Sequence, residues 1–448
     1  MGGSPVRLGA ARIALGLIQG IALYFIEGSI DSRLESATAK FLFVPADIVV
    51  LSVPFIALFG LGNMRARTLF AWMSGATVLL SLLALHDRLR QSVDPGRSVL
   101  LAEHGPSTML IGFVVLGGFI MQAMVTAGDA DRRYIATYPR YFEAAWKLAL
   151  QIAMTGVFVG LFWLLLWLGA GLLDLIEIRF LRRLTQDNAF VYPATAVAIA
   201  AAIHLTDVRA DILSGARLLI QSILSWLLPL VVIFVGIFLL SLPFTGLHAL
   251  WRTSHAAVLL LAVAGVTIAL VNAVYRDGAA GGAASSILRI GAAVGVVELA
   301  PIVAIAAMAV ALRVGQHGWT VSRVLAAAAV LIAACYAAGY LLALMRWGLG
   351  LRGLERANVV ASFVTLFVLL ALLTPVADPA RIAVASQIAL LKSGRVTADG
   401  FDYKYLRWQG ERYGREALEA LAADPAGDGA VRAGALKALA STGRWEHD

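Results

Sequence analysis

The sequence predicts an all-α fold: a polytopic transmembrane helical bundle of about eleven spans with a small helical C-terminal tail. Two observations carry this. Of the 448 residues, 60% are hydrophobic and only 14% charged, more apolar surface than a soluble domain has use for. The apolar residues also form continuous runs of about 20, the length a helix needs to cross a bilayer. An outer-membrane barrel would instead alternate polar and apolar over ~10-residue strands. The net charge of +8 reads as topology signal and headgroup attraction. Its basic residues are scattered over the loops, without the clustered, aromatic-interleaved platform that nucleic acid requires. Cys335 is the only cysteine, which excludes an intramolecular disulfide and a cysteine-based zinc site.

The predicted spans are 8–26, 43–61, 68–85, 108–127, 148–173, 190–206, 217–241, 255–275, 286–312, 321–345 and 358–377. The first, in MGGSPVRLGAARIALGLIQGIALYFI, begins like a signal peptide. Its run is long, however, and no small-x-small cleavage site follows. Val6 stands where myristoylation needs Ser or Thr. Span 190–206 is the weakest, being short, alanine-rich and interrupted by His204; without it every later loop changes sides. With the N-terminus inside, the inner loops hold fifteen Lys and Arg, the outer loops eleven and the tail ten. This bias predicts a cytoplasmic N-terminus and a C-terminus on the opposite side.

Small-residue pairs Gly16/Gly20, Gly156/Gly160 and Gly291/Gly295 predict close helix approaches. Trp72, Trp146, Trp251, Trp319 and Trp347 fall near span ends, as interfacial anchors do. Trp163 and Trp167 lie deeper and read as packing. Pro54, Pro229 and Pro301 can kink their helices. Segment 129–150 mixes basic, aromatic and apolar residues, and reads either as a helix in the headgroup layer or as a positive-inside loop. Segment 174–184 is similar, or is the frayed end of the fifth helix.

The most distinctive stretch is ASSILRIGAAVGVVELAPIVAIAAMAVALRV, from Ala284 to Val314. Glu298 sits near its middle on one face with Gly291 and Gly295, where another helix can come close. Pro301 cannot donate to the carbonyl of Val297, so a free acceptor lies beside the acid. A mid-membrane carboxyl costs about 2.5–3.5 kcal/mol on insertion scales and is by default a functional candidate. The plainer reading is a hydrogen-bonded Glu that fixes helix packing. Asn272, His204 and Arg323 complete the candidate intramembrane polar site, with Asp47, Gln151 and Gln221 secondary.

No phosphate loop, HExxH, GxSxG elbow or dinucleotide fingerprint occurs. The seven histidines are dispersed; His248 and His255 are seven apart and read as interface residues. Asp129 and Asp131 form a DxD triplet, a spacing some sugar-nucleotide transferases use but one common by chance. No metal site and no cofactor is expected.

From Asp378 the composition turns polar. Helices are predicted at 380–392, 411–423 and 428–441, divided by Ser393-Gly394 and Asp424-Pro425-Ala426-Gly427. The domain division is therefore 1–377 for the bundle and 378–448 for a soluble helical tail. The tail is marginal on its own, so it packs on the membrane part or on a partner.

Four stretches carry a family resemblance: SLPFTGLHALWRTSHAAVLLL (241–261), LVNAVYRDG (270–278), LRVGQHGWTVSRVLA (312–326) and DPARIAVASQIALLKSGRVTADGFDYKYLRWQGERYGREALEAL (378–421). They resemble the bacterial inner-membrane family called domain of unknown function 4153, over roughly 130–421. The resemblance implies a polytopic helical fold, a bacterial inner membrane and no established activity, cofactor or catalytic residue. It also implies that members extend past this tail, so a missing C-terminal portion is an expectation. Read physically, Asn272 to Gly278 closes a helix, with Asn272 free to hydrogen-bond inside the bundle. Thr320 caps the helix after the Gly315–Thr320 turn, and Arg323 snorkels outward or meets an acid.

These residues point to a transporter-like or lipid-handling protein using Glu298. The alternative is an envelope scaffold whose tail recruits a protein partner, or an integral-membrane transferase using Asp129 and Asp131. The expected partners are the lipid bilayer and a protein for the 378–448 tail, with no nucleic acid.

Overall fold

A computed structural model describes residues 5–32, 37–91, 105–246, 255–278, 285–425 and 427–441. His104, His248 and His447, with Trp251 and Arg252, lie outside these. Among the described residues there is no strand, and eleven helices are long and apolar enough to cross a membrane. They are α1 (Pro5–Ser32), α2 (Ala37–Gly60), α3 (Ala66–Arg90), α4 (Thr108–Asp131), α5 (Tyr138–Asp174), α7 (Asn188–Val208), α8 (Ala210–Thr245), α9 (Ala256–Tyr275), α10 (Ser286–His317), α11 (Val321–Trp347) and α12 (Leu354–Leu372). A short α6 (Phe180–Leu184) lies between α5 and α7, and the tail forms α13 (Pro379–Lys392), α14 (Tyr403–Gln409), α15 (Glu411–Ala423) and α16 (Gly429–Ala440). The chain divides into two compact units, Met1–Leu85 with His104–Ile220, and His86–Glu103 with Gln221–Asp448.

In the first unit α1 lies along α7. The close approach comes from Gly16 and Gly20: a Cβ on Gly16 would stand 2.7 Å from the carbonyl oxygen of Ala196, and one on Gly20 would run into the backbone of Pro193. Lipid tails are as apolar as side chains, so helices here associate by such close packing rather than by the hydrophobic effect. Gly20→Leu is expected to lower stability by at least about 1–3 kcal/mol, because the obstacle is backbone. Gly75→Leu, where a Cβ meets nothing within 4 Å, should melt like the parent protein in the same detergent. Gly156 and Gly160 depart from expectation, since a Cβ on either meets nothing within 4 Å. Their spacing makes a small-residue face on α5, but no other described helix packs into it.

The segment 129–150 forms no separate headgroup helix. Arg132 ends α4 in the left-handed region at φ 54°, and a turn leads to Thr137 and Pro139 at the start of α5. Nothing in the sequence then breaks the helix before Asp174. Glu177, at φ 61°, turns the chain before α6. The weakest predicted span becomes the 21-residue α7, its first turn capped by Asp187, whose carboxylate accepts from the amide of Ala189 at 2.9 Å. Its alanines at 196, 198, 200 and 202 are all buried, which lets its neighbours come close.

In the second unit α10 is the most buried of the eleven spans. Gly295 admits Val232 and Leu228 of α8 and Thr267 of α9. Asn272, Tyr340 and Asn358 close a buried hydrogen-bonded ring joining α9, α11 and α12. Asn272 Nδ2 donates to Tyr340 Oη at 2.7 Å, Tyr340 donates to Asn358 Oδ1 at 2.5 Å, and Asn358 Nδ2 donates to Asn272 Oδ1 at 2.6 Å.

The tail has four helices where three were expected. The addition, α14, spans only Tyr403–Gln409 and is too short to show a helical period. Its partner α15 comes close because residues 410 and 414 are glycines; a side chain at 414 would strike the Leu406 carbonyl. Val384, Phe401, Leu406, Leu418, Ala435 and Ala438 form the tail's core. The tail also grips the α10–α11 turn: the Trp319 amide donates to Ser386 Oγ at 2.9 Å, Gln387 Nε2 donates to the Trp319 carbonyl at 2.9 Å, and the Val321 amide donates to Tyr405 Oη at 2.9 Å.

Candidate functional site

A cavity of about 550 Å³ lies within the first unit, bordered by α2, α3, α4, α5 and α7. Its walls are almost wholly apolar, with Phe55, Phe59, Phe113 and Leu148 among them. Two local features shape it. Helix α4 contains one π-helical turn, Phe113–Gly117, a distortion frequent at functional sites. On α5, Gly156 leaves open space where a side chain would project. Trp72 borders the cavity too and donates from Nε1 to Gln122 Oε1 at 2.8 Å. The pair forms a polar clasp in the cavity wall. The hydroxyls of Ser52 and Thr155, also in the wall, are buried and have no hydrogen-bond partner among the described residues.

One end of these spans is tied by two polar clusters. Asp207, at the end of α7, accepts from Arg12 Nη2 at 2.5 Å, from Gln151 Nε2 at 3.2 Å and from Asn63 Nδ2 at 3.2 Å, and pairs with Lys147 Nζ at 2.9 Å. Arg12 is fully buried and also donates to the carbonyl of Leu61. In the second cluster Asp129 accepts from Arg65 Nε at 2.7 Å, Thr68 Oγ1 at 2.5 Å and the Arg65 amide at 2.9 Å. The sequence alone marks Arg12, Arg65 and Lys147 only as topology signals and gives Asp207 no prominence. The one available clue is Arg12 standing inside an apolar run. Its acid lies 195 residues away, so no local spacing reveals it.

The expected polar residues each have their own surroundings. Glu298 is 9% exposed, and its Oε1 lies 2.9 Å from where a Cβ on Gly236 would be. Its Oε2 is buried with no hydrogen-bond partner among the described residues. Gly236, inconspicuous in the sequence, is therefore what lets α8 approach the acid. Gly291 sits farther from its neighbour, with Pro229 3.8 Å from where a Cβ would stand, and Pro301 is accommodated inside α10. Asn272 belongs to the ring with Tyr340 and Asn358. Arg323 meets no acid among the described residues: Nη1 donates to the Gly318 carbonyl at 2.6 Å and the His317 carbonyl at 3.3 Å. Those are orphan carbonyls at the end of α10, to which a cation is well suited. Thr320 caps α11 as expected, accepting from the Arg323 amide. His204 belongs to the first unit, where its ring fills the space above Gly9.

The DxD carboxylates are separately engaged. Asp131 accepts from the Thr137 amide at 2.8 Å, Thr137 Oγ1 at 2.7 Å and Arg140 Nε at 3.2 Å, while Asp129 serves Arg65 and Thr68. Each carboxylate is already committed to protein donors that hold loop and helix ends.

Eleven apolar helices with buried polar ties between them define a multi-pass helical membrane protein. The chain belongs to the family described as "Domain of unknown function (DUF4153)", whose model matches residues 47–423. That match takes in the second to eleventh spans and most of the tail. No curated protein and no solved structure matches the chain.

Proposed function

We propose that this is a lipid-handling membrane protein whose first unit holds the apolar chain of a membrane lipid in the α2–α5 cavity. The cavity itself carries the reading: about 550 Å³ of apolar-walled space, within the range of ligand pockets, bordered by helices suited to a bilayer. The buried hydroxyls of Ser52 and Thr155 supply polar points in that wall. The Lys and Arg bias and the family resemblance support placing it in a bacterial inner membrane, with the N-terminus cytoplasmic and the tail periplasmic. Protein purified in mild detergent is expected to retain lipid, measured by extraction and mass spectrometry. Gly156→Trp, which fills the cavity, should retain much less while melting normally. Equal lipid in the two folded proteins would sink the reading.

A second reading is favoured by the unpartnered oxygen of Glu298. A buried carboxyl able to exchange a proton suits a proton-linked carrier. Glu298→Gln would then abolish the pH dependence of transport in proteoliposomes, whereas a packing role leaves that dependence unchanged.

A further inference from the structure

Resting on the lipid-handling reading, we propose that the cavity prefers a lipid with an anionic headgroup, received by Lys147 and Arg65 at the cavity's polar end. Their contacts with the helices that line the cavity place them there. Lys147 directly precedes Leu148, a wall residue, and Asn63, which accepts from Lys147 Nζ at 2.6 Å, follows the end of α2 and donates to the carbonyl of the wall residue Phe59 at 2.9 Å. Thr68 lies one turn before the wall residue Trp72 on the same face of α3, and Arg65, which immediately precedes α3, reaches the same Asp129 carboxylate as Thr68. One helical turn is about 5.4 Å, so a headgroup joined to a chain in the cavity reaches these side chains without leaving the protein surface.

Both cations keep donors to spare. Lys147 spends two of its three ammonium protons, on Asn63 and Asp207, and its side chain is 38% exposed. Arg65 turns Nε and, more weakly, Nη2 toward Asp129, and is 56% exposed. The charges of the two clusters do not cancel: among the described residues, Arg12, Lys147 and Arg65 pair with Asp207 and Asp129 alone. Arg140 is paired with Asp131 and Glu143. A phosphate diester would take charge-assisted hydrogen bonds from the spare donors and balance the surplus. The apolar cavity binds any acyl chain alike, so selectivity has to come from this end.

The test is native mass spectrometry of the full-length protein, titrated with phosphatidylglycerol and phosphatidylethanolamine of identical chains. The wild type is expected to favour phosphatidylglycerol by about fivefold or more, as one basic contact near a lipid surface supplies. Arg65→Gln with Lys147→Gln should erase the preference while chain binding persists; Lys147→Arg, which keeps the charge, should retain it. Gly156→Trp should remove both lipids. Inorganic phosphate at the same concentration should displace neither. Equal affinity of the wild type for both lipids, with binding still sensitive to Gly156→Trp, overturns the headgroup inference and leaves the cavity reading standing. Binding insensitive to Gly156→Trp overturns both, and displacement by phosphate alone overturns the lipid as the source of the anion.

Discussion

Asp207→Ala is expected to destabilise the first unit by about 3–5 kcal/mol, the cost of removing one partner from a buried ion pair. Arg12 is fully buried, and its Nε and Nη1 already lack hydrogen-bond partners among the described residues. The Asp207 carboxylate is its counter-ion. Lys147, part-exposed, can turn toward water when Asp207 is lost, but Arg12 has no such route. Gln151 loses its acceptor in the same step, and Asn63 Nδ2 is left with the Phe59 carbonyl alone. In detergent the variant should melt roughly 10 °C below the parent protein. The double variant Arg12→Met with Asp207→Leu should recover much of that loss, because apolar replacement of a whole buried pair is often neutral. A melting point for Asp207→Ala within a degree or two of the parent would show that this cluster does not hold the unit together.

How much of this was legible in the sequence depends on the distance over which each feature is encoded. Membrane spans are written locally: some 20 apolar residues suffice, and even the alanine-rich 190–206 run forms a full helix. Caps are local too, and Thr320 took the place its sequence indicated. Glycine spacing was half legible. It marks a face that permits close approach, but whether another helix arrives is tertiary information, as Gly16/Gly20 and Gly156/Gly160 show in opposite senses. The polar ties were illegible. The Asn272–Tyr340–Asn358 ring spans 86 residues and the Arg12–Asp207 pair 195. The cavity was beyond reach for the same reason, being space left between five helices rather than a property of any one.

The second large effect is expected at the tail. Arg90, only 3% exposed, lies 2.8 Å from Asp87, 3.2 Å from Glu411 and 3.8 Å from Asp378. Asp378 Oδ1 also caps α13, accepting from the amides of Ala380 and Arg381. Glu411 holds a left-handed backbone at φ 51°, which costs a non-glycine residue about 1–2 kcal/mol, so its contact with Arg90 also helps to hold the start of α15. Arg90→Met should therefore loosen α13–α16 by about 3–5 kcal/mol, seen as faster amide exchange there than in α10. Burial pushes the Glu411 carboxyl up to about 7, against the opposing pull of Arg90. A carboxyl whose folded value is raised binds its proton more tightly when folded, so its contribution is fully present below the ordinary carboxylate range. It is lost as pH rises through about 7. Tail protection in the wild type should thus fall between pH 5 and pH 8, by at most roughly 3 kcal/mol. The Arg90→Met defect should be milder at pH 5, where Glu411 carries its proton and fewer carboxylates repel one another. Glu411→Gln should flatten the wild-type dependence. A tail whose exchange in Glu411→Gln still follows pH as in the wild type would place the titrating group elsewhere.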